Sequence, residues 1–128
     1  KLWRRSFDVP PPALDKEDER CPHNQAPYRN VCKSELPYNE SLKDTIERVI
    51  PYYEEVIKKD MIDGKRVLIA AHGNSLRSLA KYIENISDED ILKLEIKTGV
   101  LTVYELDDNL NFIRKYELSW KSKINMLN

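Results

Sequence analysis

The stretch Arg66-Val67-Leu68-Ile69-Ala70-Ala71-His72-Gly73-Asn74-Ser75 constrains the fold more than any other. Its apolar residues run without a break from Val67 to Ala71, which predicts a strand covered on both faces, as in a parallel sheet. The run ends in a polar corner containing a glycine. Leu76, Leu79, Ala80 and Ile83 then recur on one stripe, predicting a helix over 75–85. A strand that passes into a helix through such a corner is where open α/β sheets bind ligands. The N–H groups of Gly73, Asn74 and Ser75 lack intrahelical acceptors, and together with the helix dipole they favour an anion. His72 stands at the mouth of that anion site.

The surrounding patterns fit the same fold class. Leu42, Ile46, Val49, Ile50, Tyr53, Val56 and Ile57 recur at helical spacing, predicting a helix over 40–60. Pro51 lies inside it and removes the bond to the Glu47 carbonyl, so a kink or break is expected there. Asp63-Gly64 predicts a turn into strand 66–71, and Ser87 is placed to cap a short helix over 88–94. Residues 100–106 and 112–118 read as two strands joined by Asp107-Asp108-Asn109-Leu110-Asn111, a hairpin-length connection. At the start, residues 1–6 read as the end of a helix with Leu2 and Trp3 as its apolar contacts. Pro10-Pro11-Pro12 then forms a stiff, extended connector. Residues 13–37 have neither period and predict a long irregular loop with at most a short helical turn, while residues 119–128 read as a basic, loosely patterned tail.

Composition narrows the function. A chain of 128 residues with 41% hydrophobic content suffices for one core, so residues 1–128 are expected to be part of a single domain. The 21 basic and 22 acidic residues leave a net charge of −1 with no long run of either sign, which gives no reason to expect nucleic acid as a partner. No stretch approaches the roughly 20 apolar residues of a spanning helix, and no apolar signal region opens the chain, so neither a membrane partner nor secretion is expected. Cys21 and Cys32 are accordingly expected to be free thiols. With His23 they fit no zinc spacing, and no metal site is expected.

Few residues remain as carriers of chemistry. Arg4 and Arg5 are adjacent guanidinium groups, each able to hold a phosphate or carboxylate bidentately, although a solvated helix end has the same appearance. His72 is a capping or a catalytic histidine. Ser75 has no G-x-S-x-G elbow around it and reads as a helix-capping residue. Thr98-Gly99 reads as a turn.

Three segments together resemble one family: Trp3-Arg4-Arg5-Ser6-Phe7-Asp8-Val9-Pro10-Pro11-Pro12, Glu40-Ser41-Leu42-Lys43-Asp44-Thr45-Ile46-Glu47-Arg48-Val49, and Gly64 through Arg77. They are similar to the 2,3-bisphosphoglycerate-dependent phosphoglycerate mutases of the histidine phosphatase superfamily, and the likeness continues through Ile86-Ser87 and Thr98-Gly99 to about residue 118. The resemblance implies a three-layer α/β/α sandwich on a mainly parallel sheet, with the active site beyond the carboxyl end of strand 66–71. It implies that Arg4 and Arg5 hold the phosphoglycerate, that Gly73 and Asn74 contact it, and that His72 stabilises charge in the phosphoryl-transfer transition state without itself being phosphorylated. The implied activity is the glycolytic interconversion of 3- and 2-phosphoglycerate in the cytoplasm by a homo-oligomer, dimer or tetramer, through a phosphohistidine. That histidine is primed by 2,3-bisphosphoglycerate and needs no metal.

One part of the pattern is missing. The family's phosphorylated histidine lies in an Arg-His-Gly motif, followed later by a glutamate acid/base, and neither is present in these residues. His23 has no Arg before it and no Gly after it. The resemblance is therefore to the C-terminal half of a mutase, and residues 1–128 alone are expected to be inactive and to be poorly soluble or self-associate through an unpaired strand 66–71. A related phosphatase and a non-catalytic phosphate-binding fragment are the competing readings.

Overall fold

The computed structural model describes residue 3 and residues 6–118. Its centre is a pair of packed helical segments. Ser41 opens the first with a reciprocal cap: its hydroxyl accepts from the Asp44 N–H at 3.2 Å, and the Asp44 carboxylate accepts from the Ser41 N–H at 2.8 Å. Helix α1 (Leu42–Tyr52) follows, then a π turn over Tyr53–Ile57 and helix α2 (Lys58–Ile62). The rod does not break at Pro51. The proline offers no N–H to the Glu47 carbonyl, and the next turn widens to i→i+5 spacing, which accommodates the defect within a continuous helix.

Helix α3 (Gly73–Glu84) packs against α1. Its buried residues are Ser78, Leu79 and Ala80, facing a core to which Leu42, Thr45 and Tyr53 contribute. The Tyr53 and Tyr82 rings meet edge to face with centroids 5.9 Å apart. Asn85 closes α3 in the left-handed conformation at φ 52°. The region expected as a helix over 88–94 is instead a set of turns: Ser87 Oγ accepts from the Asp90 N–H at 3.0 Å, and the bonds that follow, from Lys93 N–H to the Asp90 carbonyl and from Leu94 N–H to the Ile91 carbonyl, span three residues each without building a regular helix. Ile91 from these turns is fully buried, and its carbonyl accepts from the Arg77 guanidinium of α3.

Strands β1 (Leu101–Leu106) and β2 (Phe112–Leu118) form an antiparallel hairpin with Leu101 opposite Leu118 and Leu106 opposite Phe112. The Asp107 carboxylate ties the connection by accepting from the N–H groups of Asn109 and Asn111 at 2.9 and 2.8 Å. Gly99, at φ 76°, makes the turn into β1.

Two expectations need correction. Residues 65–72 carry no helix or strand assignment; no ladder forms on Val67–Ala71, and Val67, Leu68 and Ile69 are 38%, 77% and 36% exposed. The physical reason is that a strand exists only with a neighbour, and the hairpin is the one sheet among the described residues. The chain is α/β, but the described residues by themselves do not assemble the layers of a sandwich. The loop over 13–37 holds three short 3₁₀ turns, at Pro22–Asn24, Ala26–Tyr28 and Lys33–Glu35, and within it Cys21 is fully buried. Cys21 and Cys32 are both free thiols. The expected helix end at residues 1–6, except Trp3 and Ser6, and the tail at 119–128 lie outside the described residues.

Candidate functional site

An open cavity of about 670 Å³ lies where the head of α3 faces α1. One wall is Ala71, His72, Gly73, Asn74 and Ser75; the other is Glu40, Thr45 and Arg48. His72 is the N-cap of α3, with φ −66° and ψ 154°, and its carbonyl accepts the first intrahelical bond from the Leu76 N–H at 3.0 Å. Its imidazole does not cap the helix. The N–H groups of the first α3 turn are therefore left for a ligand or for water. A Cβ added at Gly73 would meet nothing within 4 Å, so the backbone there borders open space. Among the sequence-predicted residues, the structure thus brings His72, Gly73 and Asn74 to one cavity, whereas Arg4 and Arg5 lie outside the described residues. Ser75, expected as a cap, is the third residue of α3 and lines the cavity without making a capping bond.

Sequence reasoning missed the α1 wall. Arg48 donates from Nε to Glu40 Oε1 at 2.7 Å and from Nη2 to Glu40 Oε2 at 3.0 Å, a bidentate pair at the rim. The Glu40 carboxylate beside it pushes the Arg48 guanidinium above its ordinary range. Thr45, buried, donates from its hydroxyl to the Ser41 carbonyl at 2.9 Å. The available signal was the Ser41-x-x-Asp44 cap, which fixes a second helix start in the sequence and marks Thr45 and Arg48 as residues one turn apart on the same helix. The Asp44 carboxyl is held below its usual range, first by the Ser41 backbone N–H and then by the Ser41 hydroxyl.

The segment that leads into the proline run, and the run itself, are tied to the start of the same helix and the residues just before it. The Phe7 carbonyl accepts from the Lys43 N–H at 2.9 Å, and Asn39 Nδ2 donates to the Pro11 carbonyl at 2.9 Å. No helix among the described residues is long and apolar enough to cross a membrane.

Residues 13–119 match the family model of the histidine phosphatase superfamily, branch 1. The chain belongs to that superfamily. It is also similar to proteins named 2,3-bisphosphoglycerate-dependent phosphoglycerate mutase: 56% identical over 98% of this chain to one from Treponema denticola, and 54% over 96% to one from Borreliella burgdorferi. A third, from Lachnoclostridium phytofermentans, is 61% identical over 90% of this chain. These matches take in 51%, 50% and 46% of the three relatives, so the chain spans about half the length of the curated relatives it matches.

Proposed function

We propose that this chain supplies the second-histidine half of a phosphoglycerate mutase active site, in which 3- and 2-phosphoglycerate interconvert through a phosphohistidine primed by 2,3-bisphosphoglycerate. The observation that carries the reading is the placement of His72: an imidazole free of capping duty, heading the N-terminus of α3, on an open cavity with Gly73 and Asn74. There it is placed to stabilise negative charge on a transferring phosphoryl group while the helix start holds the phosphate oxygens. Phe7 is hydrogen-bonded to the first turn of α1, whose Thr45 and Arg48 line the same cavity, and it lies two residues along the sequence from Arg5. That anchor supports including Arg4 and Arg5 as phosphoglycerate ligands.

In this reading the phosphorylated histidine and its acid/base glutamate come from sequence outside these residues. Val67–Ala71 becomes an interior strand of the parallel sheet of a three-layer sandwich, which accounts for its uniformly apolar composition. The working enzyme is a cytoplasmic homo-oligomer that uses no metal.

The test is a protein of the relatives' length containing this chain, assayed for conversion of 3-phosphoglycerate. His72→Ala should lower kcat by about two to three orders of magnitude, the usual effect of losing one transition-state donor, with an unchanged melting temperature. Wild-type turnover in that variant would refute the role. Residues 1–128 alone should show no turnover.

A further inference from the structure

The α1 wall of the cavity carries a charged pair that the reading above does not use. Among the described residues, Glu40 and Arg48 are the ionisable groups that line it besides His72, and each is engaged by the other. A carboxylate on the wall of an anion cavity repels the ligand unless a cation cancels it, and here the cation is Arg48. The pair is not locked. The Arg48 side chain is 56% exposed and that of Glu40 27%, so water competes for both groups. A phosphate or carboxylate presents the same paired oxygens to the guanidinium fork as Glu40 does. The Gly73 and Asn74 N–H groups form one anion position on the α3 wall, and the Arg48 fork forms another on the facing wall.

We propose that Arg48 is a further anion contact of this cavity, on the α1 wall, and that Glu40 is a built-in competitor displaced by a ligand carrying two anionic groups, a phosphate ester that also bears a carboxylate. A single anion settles at α3 and leaves the pair intact. A two-anion ligand exchanges its second group for Glu40, so the pair lowers affinity for every ligand that reaches it and selects for those able to complete the exchange. The proposal rests on the functional reading above for the α3 position alone.

The opposite signs expected for the two partners make the test decisive. The ¹⁵N-labelled 128-residue chain is titrated with inorganic phosphate and, separately, with 3-phosphoglycerate, following the Gly73 and Asn74 amide resonances. Arg48→Met should weaken 3-phosphoglycerate by about tenfold, as for loss of one charge-assisted contact, and leave phosphate unchanged. Glu40→Gln should tighten 3-phosphoglycerate and leave phosphate unchanged. A purely structural ion pair would instead lower the melting temperature of both variants alike without a tighter-binding Glu40→Gln. Phosphate that shifts Gly73 and Asn74 while 3-phosphoglycerate ignores both substitutions would overturn the proposal alone. Absence of any phosphate response at Gly73 and Asn74 in the unsubstituted chain would overturn the functional reading and this proposal with it.

Discussion

His72 divides two segments that solve the same problem differently. On its C-terminal side, α3 satisfies its own backbone and needs only one partner face, which α1 supplies; Leu79 and Ala80 are 6% and 2% exposed. On its N-terminal side, Val67–Ala71 is at least as apolar, yet Leu68 is 77% exposed and no ladder forms. A strand of this composition requires neighbours along its edges and cover on both faces, and the described residues offer neither. The hairpin makes the same point from the other direction: β1 is largely half-buried and β2 is exposed along its length, but each has its partner a few residues away. Proximity of the partner in sequence, rather than apolar content, separates the segments that are ordered into sheet from the one that is not.

The largest test of this contrast compares one leucine from each side. Leu79→Ala should cost about 2–5 kcal/mol, the range for truncating a buried leucine, whereas Leu68→Ala should leave the melting temperature of the 128-residue chain unchanged. Calorimetry on both variants decides it. Leu68→Lys should in addition reduce self-association in sedimentation velocity, since a charge on an unpaired edge blocks strand addition. Equal destabilisation by the two alanine substitutions would erase the distinction.

A smaller effect is expected at the start of α1, where local chemistry alone sets the structure. Ser41→Ala should cost roughly 0.5–2 kcal/mol in urea denaturation, the range for losing a helix cap. The same cap predicts a pH dependence. Because the folded state holds the Asp44 carboxyl below its unfolded value, its contribution is present above about pH 4, the ordinary carboxylate range, and is lost as pH falls through the lowered folded value. Asp44→Asn should flatten that part of the acid stability profile, and an unchanged profile would remove the capping role.

The smallest change is expected at the junction itself. Gly73 is the first residue of α3, has no positive φ, and has open space where a Cβ would sit. Gly73→Ala should therefore stabilise the chain by roughly 0.4–1 kcal/mol through the unfolded state, while weakening phosphate binding by crowding the first-turn N–H groups. A variant that gains stability and binds phosphate as before would show that the anion does not approach this wall.

Legibility in the sequence followed the same division. The α1 and α3 periodicities, the hairpin, the Gly99 turn and the cavity-lining set His72, Gly73 and Asn74 were readable because each depends on residues close together in the chain. The strand at 66–71 was over-read because composition reports what a segment requires, not whether a neighbour is present. Pro51 predicts a kink or break, but the helix continues through a widened turn over Tyr53–Ile57, which the proline alone does not announce. The Ser41-x-x-Asp44 cap places Arg48 on α1, but its pairing with Glu40 on the cavity wall was not legible, because that wall arises only when α1 packs on α3.

The central claim is that the two flanks of His72 differ in what completes them. Amide hydrogen exchange, measured on the 128-residue chain at a concentration where sedimentation shows monomer and again on a protein of the relatives' length, tests it directly. The account predicts that residues 76–83 are protected in both, while 67–71 exchange almost freely in the shorter chain and become protected in the longer one. Protection of 67–71 equal to that of 76–83 in the monomeric 128-residue chain would contradict it.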